Sequence, residues 1–188
     1  MKKEQFLQLA LIILTWSSFA QIEKGYWLVG GNANLSYSKI RTKEANGTFQ
    51  LNGEDGSYYN VLVESNIGYF LSNKFAVGLK FNFENEFSKQ FPLTLNNTQI
   101  GLSPFLRYYF LNVDRPTNFF IEASYYKYAY KLFGNATGYG IKIGHVYFLN
   151  SSVGFESTLN YQFRESNQTE KAAIFVGLGF QLYLEKRK

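Results

Sequence analysis

Apolar and polar residues alternate along most of the chain, and the last alternating segment shows the pattern most clearly. From Ala172 to Leu184 every second residue is apolar, and the positions between them are more mixed and include Gly177 and Gly179. Strict alternation is typical of a β-strand whose two faces meet different surroundings. The bulky stripe would face either the core of a soluble sheet or the lipid around a membrane barrel.

From Gly25 onward the chain contains eight segments of this kind, which are joined alternately by longer polar connections and tight turns. This pattern predicts an all-β fold, an eight-stranded antiparallel up-and-down transmembrane β-barrel with both termini at the short-turn end. Closing the sheet leaves no free edge. The predicted strands are Gly25–Lys39, Ser57–Phe70, Phe75–Glu84, Asn97–Phe110, Asn118–Tyr128, Gly138–Phe148, Val153–Gln162 and Lys171–Leu184. The tight turns are Leu71–Lys74, Leu111–Thr117 and Leu149–Ser152, and the longer connections are Ile40–Gly56, Asn85–Asn96, Lys127–Thr137 and Phe163–Glu170.

The two faces of these strands differ in charge. One parity, followed as far as Tyr37 in the first strand and Tyr125 in the fifth, collects bulky apolar and aromatic residues and no Asp, Glu, Lys or Arg, whereas the other collects charges, amides and glycines. The lumen of an eight-stranded barrel is just wide enough for side chains, and the aromatic set would overfill it. We therefore expect aromatic residues to face lipid and polar residues to face the lumen. The charged residues expected to line the lumen are Glu64, Lys80, Glu84, Arg107, Glu122, Lys142 and Glu156.

Charges in a narrow lumen have to be paired or strongly hydrogen-bonded. The predicted set contains four acids and three bases. We expect an internal network that fills the lumen, in which Arg107 and Lys142 meet three of the acids. Those acids are Glu64, Glu122 and Glu156.

The aromatic residues of the outward parity cluster near the two ends of the strands. Two girdles of amphipathic rings are typical of proteins that cross a bilayer with strands. At the short-turn end the predicted girdle is Trp27, Tyr69, Phe75, Tyr108, Phe110, Phe119 and Tyr147. At the other end it is Tyr37, Phe83, Tyr125, Tyr139 and Tyr161.

The N-terminus has the layout of a secretory signal peptide. Lys2 and Lys3 precede an apolar run over Phe6–Trp16, and Ser18 and Ala20 place small residues before a cleavage site after Ala20. The run is too short for a membrane-spanning helix. We therefore assign residues 1–20 to a signal peptide and residues 21–188 to the barrel domain.

Composition excludes several classes of function. Without Lys2, Lys3 and Glu4, the 19 basic and 14 acidic residues become 17 and 13, which leaves a net charge of +4. No basic helix or patch accompanies this mild excess, so we expect no nucleic-acid partner. The chain has no cysteine, and hence no disulfide framework or thiolate metal site. We predict no metal and no cofactor.

Three runs contain a glycine followed by an aromatic pair, and in two of them a short Asn/Ser turn and a strand containing Val-Gly follow. They are GLSPFLRYYF (Gly101–Phe110), NIGYFLSNKFAVGL (Asn66–Leu79) and GHVYFLNSSVGFE (Gly144–Glu156). In them the chain resembles the small eight-stranded outer-membrane barrels of Bacteroidota, often described as porin-family proteins and related in architecture to OmpA and OmpX. The resemblance implies a Gram-negative outer-membrane location with both termini in the periplasm, and contact with lipid and lipopolysaccharide.

The last strand also resembles the terminal signal read by the barrel-assembly machinery. Its elements are Gly177, Phe180 and Leu182, although four polar residues follow Leu184 in place of a terminal aromatic. The resemblance implies that this machinery is a partner during biogenesis. We expect a monomer with a structural or surface-interaction role, whose extracellular partner is unknown. The connection Arg41–Ser57 carries several turn-forming Asn-Gly and Asp-Gly pairs and is expected to form a hairpin extension.

Three alternatives remain open. The first is a narrow pore for small solutes. The second is an enzyme similar to the lipid A deacylases, which need an outward His with a nearby Ser; the only histidine is His145, and Tyr147 stands where a His-x-Ser motif would place serine. We therefore predict no catalytic residues. The third is a soluble lipocalin-like barrel, suggested by Gly25-Tyr26-Trp27, which would require an apolar interior.

Overall fold

The chain folds into one closed sheet of eight strands. The computed structural model describes residues 22–42, 58–90, 93–130, 134–166 and 169–185. The strands are β1 (Trp27–Thr42), β2 (Tyr58–Ser72), β3 (Phe75–Gln90), β4 (Leu93–Tyr109), β5 (Thr117–Tyr130), β6 (Gly134–Phe148), β7 (Val153–Glu165) and β8 (Thr169–Leu184). Each strand pairs antiparallel with its neighbours in sequence, and β1 pairs with β8, which closes the barrel. The predicted eight-stranded up-and-down barrel is confirmed. The described ranges contain no helix long and apolar enough to span a membrane.

The strands extend further toward the long-connection end than the alternation predicted. β3 and β4 stay in register as far as the pair formed by Gln90 and Leu93. The prediction of a long connection over Asn85–Asn96 is therefore wrong, and β5 to β8 likewise take up most of the connections predicted over Lys127–Thr137 and Phe163–Glu170. Apolar alternation signals contact with lipid, whereas backbone pairing does not require it, so the pairing continues after the alternation ends.

Two predictions fall on residues outside the described ranges. The signal peptide over residues 1–20 is one of them. The other is the hairpin extension over Arg41–Ser57, because β1 ends at Thr42 and the description resumes at Tyr58. At the opposite end, β4 stops at Tyr109, so Phe110 follows the strand and does not belong to it.

The apolar parity faces outward and the polar parity faces inward. In β8, Val176 and Leu178 are 61% and 55% exposed, whereas Gly177 and Gly179 point into the lumen. Every lumen-facing acid and base whose side chain the structure describes is buried to 2% exposure or less. A polar interior inside an apolar exterior is the arrangement of a transmembrane barrel. It does not fit the lipocalin alternative, which requires an apolar interior.

Two charged strand residues are exposed on the outward parity, Lys127 of β5 and Glu165 of β7. Lys127 lies in the predicted fifth strand, two residues beyond Tyr125, where the predicted outward set ends. A long side chain at this position can reach from the edge of the apolar band to the headgroup region, so a base is tolerated there.

Apolar side chains close the lumen above and below its polar middle. At the short-turn end, ten buried residues pack together: Ile22, Leu28, Phe70, Ala76, Phe105, Tyr109, Phe120, Val146, Phe148 and Tyr183. Toward the other end, Leu62 of β2 packs with Ala173 and Phe175 of β8. The polar residues between these clusters are enclosed on both sides.

The segment before β1 is part of the lower closure. Ile22 is fully buried in the short-turn cluster although it precedes the first strand. Its carbonyl accepts a hydrogen bond from the Lys74 amide at 2.9 Å, and the Gly25 amide donates to the Phe70 carbonyl at 2.9 Å. Gly25 has a φ of 94°, a conformation that favours glycine. These contacts hold the residues before β1 across the short-turn end of the barrel.

Tyr26, the last residue before β1, has a partly buried side chain. Burial raises the pKa of Tyr26, and the nearby carboxylates of Glu185 and Glu23 raise it further. The phenol therefore stays protonated well above neutral pH.

Candidate functional site: a closed polar lumen

The centre of the lumen is a row of charged side chains on three adjacent strands. Arg107 of β4 pairs in register with Glu122 of β5, and Glu122 pairs with Lys142 of β6. Directly opposed residues on one face of a sheet have closely spaced Cβ atoms. The antiparallel register therefore brings a base to either side of Glu122 before any cross-lumen contact is made.

Arg107 is the most heavily bonded of these residues. Its Nε and Nη2 lie 2.8 and 2.7 Å from Oε2 of Glu122, and its Nη1 lies 2.7 Å from Oε1 of Glu156. Nη1 also donates to the Tyr109 hydroxyl at 3.1 Å, and the guanidinium stands 4.1 Å from the centre of the Phe120 ring. The planar fork of arginine suits two carboxylates and an aromatic face at once.

Two lysines join the remaining acids to this group. Lys80 Nζ lies 2.7 Å from Oε1 of Glu122 and 3.4 Å from Oε1 of Glu64. Lys142 Nζ donates to Oε2 of Glu64 and lies 3.8 Å from Oε1 of Glu122. Together with Arg107 and Glu156, these residues form one connected network of three acids and three bases, which we call the central network.

A second ion pair lies above the central network, toward the long-connection end. Arg164 of β7 forms a salt bridge with Glu84 of β3, and its guanidinium stacks 4.1 Å from the centre of the Tyr128 ring. It also donates to the side-chain oxygens of Gln99 and Gln162. With this pair, the lumen residues whose side chains the structure describes comprise four acids and four bases.

Arg164 was missed by the sequence analysis, which ended the seventh strand at Gln162. The signal was present, because Arg164 continues the inward parity of Asn160 and Gln162. The predicted set of four acids and three bases was therefore one base short. The structure brings all seven predicted lumen residues inside, places Arg107 and Lys142 against the expected acids, and adds Lys80 to the same acids.

The predicted girdle residues lie on the outer surface at the two ends of the barrel. Tyr69 and Phe75 are partly covered at the short-turn end, and the side chain of Tyr37 lies outside the described residues. The others are 42–57% exposed: Trp27, Tyr108, Phe110, Phe119 and Tyr147 at one end, and Phe83, Tyr125, Tyr139 and Tyr161 at the other.

One wall of the lumen combines glycine with buried amides. Asn32 Oδ1 lies over Gly179, where an added Cβ would approach it to 1.8 Å, and Asn34 Oδ1 lies over Gly177 in the same way. These two oxygens, and both side-chain polar atoms of Gln181, lack a hydrogen-bond partner among the described residues. Buried polar groups of this kind normally bind ordered water. The wall formed by β8 and β1 is thus suited to bound water, whereas the ion pairs join residues of β2 to β7.

His145, the histidine considered above for catalysis, lies on the outer face. The Thr117 hydroxyl donates to the Val146 carbonyl at 3.1 Å, and its oxygen lies within hydrogen-bond distance of His145 Nε2. Since the hydroxyl proton is used, Thr117 accepts from the imidazole N–H and is not an activated nucleophile. Within the described ranges, no group of three or more His, Cys, Asp or Glu could hold a metal ion.

Comparison with solved structures finds the same architecture in outer-membrane proteins. The outer membrane protein OprG from Pseudomonas aeruginosa superimposes with a TM-score of 0.64 at 13% identity, covering 90% of this chain and all of that one (100%). Neisserial surface protein A superimposes with a TM-score of 0.54 at 14% identity, covering 85% of this chain and 97% of that one. No protein-family model and no curated protein matches the chain. At these identities the likeness concerns the fold.

Proposed function

We propose that this chain is an integral protein of a bacterial outer membrane, of the Bacteroidota porin-family type, whose lumen is closed to solutes. Its role is structural or lies in surface interaction through the long-connection end, and it works as a monomer. The observation that carries the proposal is the charge-balanced, fully buried lumen. The fold it shares with outer-membrane barrels supports the location.

The closure rests on three successive layers. The short-turn cluster, the central network and the pair of Arg164 with Glu84 occupy the lumen one above the other. A hydrated path would require several ion pairs to separate while their partners stay buried. Breaking one buried pair by removing a partner costs about 3–5 kcal/mol. Spontaneous opening of a continuous channel is therefore unfavourable.

The proposed orientation places both termini and the short turns in the periplasm. The exposed amine of Lys127 then lies at the outer end of the apolar band, beside the phosphates of lipopolysaccharide. The signal formed by Gly177, Phe180 and Leu182 lies at the periplasmic end of β8, where the barrel-assembly machinery would read it. On this basis, lipopolysaccharide and that machinery are the proposed partners.

Conductance measurements test the closed lumen. Purified barrel inserted in a planar bilayer is expected to give no discrete current steps, with a known porin in the same bilayer as a positive control. Steps that scale with the amount of folded barrel and vanish when the sample is boiled would favour the pore alternative.

Cysteine labelling tests the orientation, because the chain has no cysteine of its own. Asn135→Cys places a thiol on the exposed surface near the long-connection end, and Asp114→Cys places one in an exposed short connection. A membrane-impermeant maleimide added to intact cells should label the first variant, and the second only after lysis. The reverse labelling pattern would mean that the barrel has the opposite orientation in the membrane.

A further inference from the structure

Three polar side chains stand together on the otherwise apolar outer face near the short turns. Thr117 begins β5, His145 lies in β6, and Ser157 of β7 pairs in register with His145. The Phe119 ring contacts the imidazole with centroids 5.0 Å apart. We call Thr117, His145 and Ser157 the polar notch.

The notch has unused hydrogen-bonding capacity. The Thr117 hydroxyl is held between the Val146 carbonyl and His145 Nε2, which fixes the imidazole and leaves Nδ1 on its other edge. The Ser157 hydroxyl makes no hydrogen bond to another part of the described chain. A polar group left unpaired against lipid tails costs free energy. The notch therefore favours a polar partner over an acyl chain.

The position of the notch indicates which partner is within reach. His145 is three residues from the end of β6 at Phe148, and Ser157 is four residues from the start of β7 at Val153. In tilted strands these separations correspond to roughly 10 Å or less above the short-turn end. The apolar band of such barrels is about 25 Å tall, so the notch lies in the part nearest the interface. The glycerol and phosphate groups of a phospholipid lie at this level.

We propose that the polar notch binds the phosphodiester headgroup region of a phospholipid in the periplasmic leaflet. The Ser157 hydroxyl donates to a phosphate or ester oxygen, and a headgroup amine or hydroxyl donates to Nδ1 of His145, which is an acceptor because Nε2 carries the proton donated to Thr117. Phe119 and Tyr147, both exposed beside the notch, pack against the glycerol and the first methylenes. The leaflet assignment rests on the orientation given under the proposed function.

Lipid retention tests the proposal. The folded barrel is extracted in mild detergent, incubated with phosphatidylglycerol, phosphatidylethanolamine or diacylglycerol, and analysed by native mass spectrometry. The wild type should retain both phospholipids in preference to diacylglycerol, which lacks phosphate. We expect Ser157→Ala, and separately His145→Phe, to lower phospholipid retention about three- to tenfold, as the loss of one hydrogen bond predicts.

Ser65→Ala is the matched control. Ser65 is an outward hydroxyl on β2 at comparable height, but its register partners are Gly31 and Phe81, which offer no second polar group. This variant should retain phospholipid as the wild type does. Equal retention of diacylglycerol by the wild type, or an equal loss in Ser65→Ala and Ser157→Ala, would overturn the proposal.

A further arm separates the notch from the orientation. Lipid A also carries phosphate but belongs to the outer leaflet. If the notch variants lost lipid A in place of phospholipid, the assigned leaflet would be wrong. In that case Asp114→Cys, and not Asn135→Cys, should be labelled on intact cells. If labelling supports the orientation while the notch variants retain every lipid normally, the notch proposal alone fails.

Discussion

Removing Arg107 should strongly destabilise the barrel. In Arg107→Met the methionine fills much of the same space, but Glu156 loses the only base that contacts it within the described residues. Glu122 keeps Lys80 at 2.7 Å, so one carboxylate and not two is left uncompensated. Loss of one partner of a buried pair costs about 3–5 kcal/mol, and we expect the free energy of unfolding to fall by that amount.

The measurement is a urea titration of barrel folded into phospholipid vesicles. The folded and unfolded fractions are read from the difference in gel migration between unboiled and boiled samples, and the transition midpoint and slope give the free energy of unfolding. The variant should unfold at a clearly lower urea concentration with a similar slope.

The double variant Arg107→Met with Glu156→Gln is the internal control. It removes the stranded charge together with the base, so it should recover a substantial part of the lost stability. A loss of about 1 kcal/mol or less in the single variant would match an exposed salt bridge. Such a result would refute the reasoning, because it would mean that the central network is solvated.

The remaining predictions concern the outer face and the lower closure. Leu178→Arg puts a charge on the lipid-facing side of β8, near the bilayer midplane, and should lower the free energy of unfolding by about 2–4 kcal/mol in the same titration. The matched Leu178→Met change should have almost no effect. If Leu178→Arg also had no effect on stability, the lipid-facing assignment would be contradicted. Ile22→Ala leaves a cavity in the short-turn cluster and should lower the free energy of unfolding by about 2–5 kcal/mol. Glu23→Ala, at the neighbouring exposed position, should not change it measurably. Equal effects of the two changes would mean that Ile22 does not close the barrel.

The faces of the strands could be read from the sequence because the side-chain period of a strand is two. Once one bulky stripe was assigned to lipid, parity fixed the inward position of Arg107, Lys142 and their acids. The limit of each strand was harder to predict. The criterion was apolar alternation, which stops before Arg164, although pairing of β7 continues to Glu165. For the same reason the predicted outward set of the fifth strand ended at Tyr125 and left out Lys127.

Contacts across the lumen could not be predicted at all from the pattern. Lys142 meets Glu64, which lies 78 residues away and on a strand that is not adjacent to β6. Which inward residues share a level depends on the stagger of the strands, and the alternation carries no information on stagger. Ile22 was missed because it lies before the first alternating segment, so that no period marked it as buried.

The glycine-rich inner wall bears on the order in which the barrel can be built. β1 and β8 are the first and last strands of the barrel and form the one pair of neighbouring strands that no single hairpin connects. At mid-height their inner faces present Gly30, Gly177 and Gly179 beside short amides, and the bulky Leu28, Phe175 and Tyr183 lie toward the two ends. The row of Arg107, Glu122 and Lys142 belongs to consecutive hairpins, so its ion pairs can form on an open sheet. The first and last strands can then pair without large side chains meeting at mid-height.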